Sequence, residues 1–118
     1  MRILLVDDNA MNVELFRDVL ELDGHDVAVE TDGLAAQRRA LAEPFDLMIL
    51  DIQLPGQDGF AICRSLRHSG IVGPIVALSS AAMPDHIKQG AAAGFDEYLT
   101  KPISPTALRA AVRRHLPS

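Results

Sequence analysis

Tryptophan is absent from these 118 residues, and tyrosine and cysteine occur once each. The lone Cys63 excludes an internal disulfide and a thiolate metal cage. No apolar stretch approaches the ~20 residues of a membrane-spanning helix. Met1 leads straight into an apolar run, which leaves no room for a secretory leader, so a cytoplasmic location is expected. A basic excess is also lacking. The 11 Lys and Arg stand against 16 Asp and Glu, a formal charge of −5, whereas non-specific nucleic-acid binding wants a basic face. The four histidines (His25, His68, His86 and His115) lack metal-ligand spacing and are expected at the surface. With no repeats, linkers or low-complexity tracts, residues 1–118 read as one domain, long enough to bury a core without staples.

The chain does have polar residues placed at the ends of apolar runs. Asp7-Asp8 follow Ile3-Leu4-Leu5-Val6, and Asp51 follows Leu47-Met48-Ile49-Leu50. Ile75-Val76-Ala77-Leu78 ends in Ser79, and Tyr98-Leu99-Thr100 ends in Lys101. As parallel strands of one sheet, these runs would gather all five groups at its carboxyl edge, where ligand sites form in open α/β sheets.

Helical patterns fill the intervals. Val13, Phe16, Val19 and Leu20 share one face of a first helix, which Gly24 closes. Val27-Ala28-Val29, with polar neighbours, suits an edge strand. Thr31 or Asp32 caps a second helix running to about Ala42, ahead of Pro44. The run at 47–50 is apolar on both faces, as a central parallel strand must be. Asp58 caps a third helix carrying Phe60, Ile62, Cys63 and Leu66, and Pro84 and Gly94 bound a fourth. Ser104-Pro105 opens a last helix with Leu108, Val112 and Leu116 in register. The pattern predicts an α/β fold, a doubly wound five-stranded parallel sheet with five helices and right-handed crossovers.

Carboxylates held a few ångströms apart raise one another's pKa or recruit a cation. All-oxygen ligation favours Mg²⁺, for which Mn²⁺ can substitute. Asp8 and Asp51 are the first ligand candidates, with the backbone carbonyl of Gln53 as a further donor. Asp8 could instead cap the first helix, although that leaves Asp7 unexplained. A carboxylate can attack an activated phosphoryl group to give an acyl phosphate. The transition state then needs cations and donors around three equatorial oxygens, which the metal, Lys101 and the Ser79 hydroxyl would supply. Lys101 is also suited to closing the carboxylate cluster at rest.

In Val6-Asp7-Asp8-Asn9, Asp51-Ile52-Gln53-Leu54-Pro55-Gly56-Gln57-Asp58-Gly59, Ser79-Ser80-Ala81 and Tyr98-Leu99-Thr100-Lys101-Pro102, the chain resembles the receiver domains of two-component response regulators (the CheY-like superfamily). The look is nearest to stand-alone regulators of the DivK type, with hybrid-kinase receivers similar. The resemblance spans essentially the whole length. It implies the flavodoxin-like strand order 2-1-3-4-5, of which the chemotaxis receiver is a known instance. It also implies Asp51 as acceptor of phosphate from a histidine kinase or phosphotransfer protein, and Asp7 and Asp8 as metal acids. Ser79 would be the switch hydroxyl, Tyr98 the aromatic switch and Lys101 the phosphate-binding lysine, with a cis bond before Pro102. Leu54, Gln57 and Ser80 depart from common family residues, and Gln53, Ser80 and Ala81 border the phosphate.

Two surfaces are expected to meet partners. Met11, Leu15 and Leu22 form a second apolar stripe on the first helix, either widely buried or a docking ridge for a phosphodonor. The fourth helix, fifth strand and fifth helix form the output or self-dimer face, with Asp96, Glu97, Arg109, Arg113 and Arg114 giving it mixed sign. An aspartyl-phosphate hydrolase is disfavoured because Gln53 stands where its general acid would be. A flavodoxin is disfavoured because Asp7-Asp8-Asn9 would repel a flavin phosphate. A phosphate-independent interaction module remains the alternative, as does a receiver cut from a longer regulator or hybrid kinase. Catalysis is expected only of the chain's own phosphorylation and dephosphorylation.

Overall fold

The computed structural model describes residues 1–80 and 84–115. Five strands, β1 (Arg2–Val6), β2 (Asp26–Glu30), β3 (Leu47–Asp51), β6 (Ile75–Ser79) and β7 (Glu97–Thr100), form one parallel sheet in the order β2-β1-β3-β6-β7. This is the expected 2-1-3-4-5 arrangement. The labels β4 (Gln53–Leu54) and β5 (Gln57–Asp58) belong to a small antiparallel hairpin that interrupts the count. The helices are α1 (Ala10–Leu22), α2 (Gly33–Ala42), α3 (Gly59–His68), α4 (Pro84–Ala93) and α5 (Pro105–Arg114).

Strand alternation divides the core into two layers. Ile3 and Leu5 of β1, Leu47 and Ile49 of β3, and Val76 and Leu78 of β6 pack with Phe16 and Leu20 of α1 and Leu108 and Val112 of α5. The intervening Leu4, Val6, Met48, Leu50 and Ala77 pack on the opposite face, with Ala36 and Ala40 of α2, Ile62, Cys63 and Leu66 of α3, and Ala93 of α4. Helices on both faces leave the sheet's carboxyl edge open, and this positions the site.

The helix ends follow local chemistry. Asp32, rather than Thr31, caps α2, Asp58 caps α3, and Ser104 with Pro105 opens α5. Asn9 caps α1, its side chain accepting from the Asn12 N–H at 3.1 Å, so Asp8 has no capping role. The β4–β5 hairpin was not anticipated, because two-residue strands carry no periodicity. Pro55-Gly56 was its visible signal, and Gly56 takes φ +69° at the turn.

Other expectations need correction. Only His68 is exposed. His25, His86 and His115 are half-buried because they sit at packing seams, with His25 beside the N-terminal amine and His115 bonded to Glu97 at 2.9 Å. The charges assigned to the output face are largely consumed within the fold. Arg109 turns away to grip Asp23 at the end of α1 (2.7 and 2.8 Å), Arg114 pairs with Glu97, and Asp96 pairs with Arg67 at 2.8 Å. Met11 and Leu22 are 81% and 86% exposed and Leu15 is 46% exposed, so wide burial does not explain the α1 stripe. Ala81 and Leu116 lie outside the described residues. Among the described residues, no helix is long and apolar enough to cross a membrane.

Candidate functional site

Parallel register assembles the site. Val6 pairs with Leu50, so Asp7 and Asp51 emerge side by side just past their last shared rung. Asp51 pairs with Leu78 and Ser79 with Thr100, which brings Ser79 and Lys101 to the same edge. Asp7, Asp51 and Ser79 are all buried, while Asp8 is exposed at the mouth.

The two buried carboxylates are held alike. Asp7 Oδ1 accepts from the Asn9 N–H at 2.9 Å, and Asp51 Oδ1 accepts from the Gln53 N–H at 2.8 Å. The second oxygen of each faces Lys101, whose Nζ lies 2.8 Å from Asp51 Oδ2 and 3.2 Å from Asp7 Oδ2. The Lys101 N–H donates to the Ser79 carbonyl at 2.7 Å, fixing the base of the lysine to β6. The peptide between Lys101 and Pro102 is cis, as the resemblance implied, and Pro102 itself is exposed.

Burial pushes the Asp7 carboxyl above its ordinary range, with the Asn9 N–H and Lys101 opposing and the Asp51 charge adding to the rise. Burial would lower the Lys101 amine, but its hydrogen bond to Asp51 and the charges of Asp51 and Asp7 outweigh that and hold it above the usual lysine value. One ammonium thus serves two buried carboxylates, with Asp8 a third acid nearby. Oxygens of Asp7, Asp8 and Asp51 lie within 4.8 Å of one another, and Asp7 Oδ2 is buried with no hydrogen bond despite its ion pair. Such a site is short of positive charge, and its all-oxygen donor set fits a hard divalent cation.

Tyr98 is half-buried on β7, its ring against Gly90 of α4, where an added Cβ would stand 3.0 Å from the ring. Two further side chains join the site or its support. Gln53 reaches across to Ser80, and Gln57 accepts the Gly33 N–H at 2.5 Å while donating to Asp32 at 2.6 Å. The second contact clamps the hairpin to the start of α2. The sequence marked Gln53 only as a backbone donor and phosphate neighbour, and Gln57 only as a departure.

An open parallel sheet with a lysine-bridged acid cluster at its carboxyl edge defines a doubly wound α/β domain built around a charge-deficient oxygen site. Residues 3–113 match the response regulator receiver domain, and the chain belongs to that family. It is 40% identical over 113 residues to response regulator protein PmrA of Pseudomonas aeruginosa, spanning 96% of this chain and 51% of PmrA. It is also 40% identical over 112 residues to sensor histidine kinase GacS of Pseudomonas protegens, spanning 91% of this chain and 12% of GacS. The chain therefore covers about half the length of PmrA and a small part of GacS. Among solved structures, chemotaxis protein CheY4 of Vibrio cholerae matches with a TM-score of 0.92 at 28% identity over 98% of each chain. The receiver domain of sensor histidine kinase PA1611 from Pseudomonas aeruginosa, which has a magnesium ion coordinated in its active-site cleft, matches with a TM-score of 0.86 at 32% identity, over 96% of this chain and 94% of that one.

Proposed function

We propose that this chain, residues 1–118 as one receiver unit, is a cytoplasmic phosphoacceptor switch of a two-component phosphorelay. In this reading Asp51 takes a phosphoryl group from a phosphohistidine donor in a Mg²⁺-dependent reaction. The observation that carries the reading is the Lys101 ammonium shared between Asp51 and Asp7 in a buried pocket. An Asp51 carboxylate oxygen forms a bond to phosphorus as the donor's P–N bond breaks, and the leaving imidazole keeps the electron pair and takes up a proton. Lys101 passes from the carboxylates to a phosphoryl oxygen, and the Ser79 hydroxyl donates to another. Asp7, Asp8, Asp51 and the Gln53 carbonyl would hold Mg²⁺, or Mn²⁺ in its place, which when bound neutralises charge developing on the transferring group. The chain's own catalysis is limited to gaining and losing this phosphate.

Movement of Ser79 toward the phosphate, with inward turning of Tyr98, would favour one of two pre-existing states and alter the face made by α4, β7 and α5 for an output partner or second copy. A kinase or phosphotransfer protein would dock on Met11, Leu15 and Leu22. A groove of about 400 Å³ lined by Asn12, Leu15, Phe16, Lys101, Pro102 and Ile103 leads from that ridge to the site. Transfer from a radiolabelled phosphohistidine protein should label wild type and leave Asp51→Asn unlabelled. Equal labelling of both would overturn the assignment.

A further inference from the structure

The β3–β6 ladder runs from Met48 opposite Ile75 to Asp51 opposite Leu78. Carried on two positions it sets Gln53 against Ser80, and there side chain replaces backbone. Gln53 Oε1 accepts from the Ser80 N–H at 3.2 Å and from the Ser80 hydroxyl at 2.6 Å. A backbone N–H can only donate, so the Gln53 atom it meets is the carbonyl oxygen. Ser80 also lines the groove that contains Lys101. One neutral oxygen therefore occupies both donors of Ser80 at the rim of the pocket where Lys101 holds Asp51.

We propose that Gln53 is a positioning residue that latches Ser80 at rest, and that phosphoryl transfer to Asp51 requires the latch to open. The proposal rests on the phosphoacceptor reading of Asp51. A phosphoryl group arriving there brings anionic oxygens, which attract N–H and O–H donors more strongly than an amide carbonyl does. Until it arrives, the Gln53 oxygen is their acceptor. The latch lowers the resting state, so it slows acquisition of phosphate.

Acetyl phosphate with Mg²⁺ supplies the test: the Asp51–phosphorus bond forms as the donor's P–O bond breaks and acetate leaves. Gln53→Met keeps side-chain length and the main-chain carbonyl but removes the accepting oxygen. Its rate of acyl phosphate formation should exceed wild type by about three- to tenfold, the rate equivalent of one net hydrogen bond. The same substitution should have a smaller effect in a Ser80→Ala background, where the shorter bond is already gone. Gln53→Met at the wild-type rate, or the same factor with Ser80→Ala, overturns the latch. A rise confined to Gln53→Ala also overturns it, since that would mark Gln53 as bulk across the entrance. Wild type forming no adduct at all would instead remove the phosphoacceptor reading beneath it.

Discussion

At the scale of single residues, Asp7 shows what the site costs the fold. Its carboxylate is fully buried, and Oδ2 has an ion pair with Lys101 but no hydrogen bond. Burial raises its pKa in the folded state, so the native protein holds this proton to higher pH than the unfolded chain does. Its contribution to stability therefore falls as pH rises from 3.8 through the raised value and is lowest at neutral pH. Asp7→Asn should raise Tm at pH 7, while weakening Mg²⁺ binding measured by calorimetry. A lower Tm would contradict this account. Asp7, Asp51, Ser79 and Lys101 were legible in the sequence because each directly ends an apolar run, and parallel register converts that position into proximity. The Gln53–Ser80 and Gln57–Asp32 contacts were not. They join side chains 27 and 25 residues apart, and no local pattern encodes them.

Among elements, helix caps were readable wherever the signal is local, as at Asp58 and Ser104, and stayed open where polar neighbours compete, as at Thr31-Asp32. At α1 the Asn9 cap was passed over beside the acids Asp7 and Asp8. The joints between elements were not readable. Arg67 of α3 donates to the carbonyls of Ile71, Gly73 and Gly94 and to Asp96, whose carboxylate also accepts the Ile75 N–H. One guanidinium thus fastens the end of α3, the loop before β6, the end of α4 and the approach to β7. Arg67→Met would strand several of these acceptors and should cost about 2–4 kcal/mol in urea unfolding; a loss below about 0.5 kcal/mol, typical of an ordinary surface change, would show the joint to be dispensable. On α1, the proposed docking ridge yields a different kind of prediction. Leu15→Arg should slow transfer from a phosphohistidine protein about tenfold or more, the loss of a hot-spot contact, while sparing acetyl phosphate. Equal slowing with both donors would remove the docking role.

Over the whole molecule, two apolar layers around one sheet were legible because strand alternation and helix periodicity are properties of the chain itself, whereas the disposition of surface charge depends on which elements meet. Arg109 illustrates the difference: it belongs to α5 in sequence but serves α1 in space, through Asp23. Charge pairing also sets the response to acid. Burial would raise the Glu97 carboxyl, but hydrogen bonds from Arg114 and His115 prevail and hold it below its ordinary 4.5. Arg2 holds Glu43 low in the same way, against opposing burial. For carboxyls shifted downward, the stabilisation is fully present above the unfolded value and is lost as pH falls through the folded one. The stabilisation these pairs supply should therefore fall below about pH 4.5, so Glu97→Gln should lose less stability than wild type in urea titrations across pH 3–6. An unchanged slope in that variant would exclude Glu97 as a contributor.

Asp51 as phosphoacceptor stands or falls on intact-mass spectrometry after exposure to acetyl phosphate, with and without Mg²⁺. Wild type should gain about 80 Da, one phosphoryl group in place of a proton, only when Mg²⁺ is present, and Asp51→Asn should gain nothing. No gain in wild type under quenched conditions that preserve an acyl phosphate, or a gain that survives in Asp51→Asn, would contradict the account.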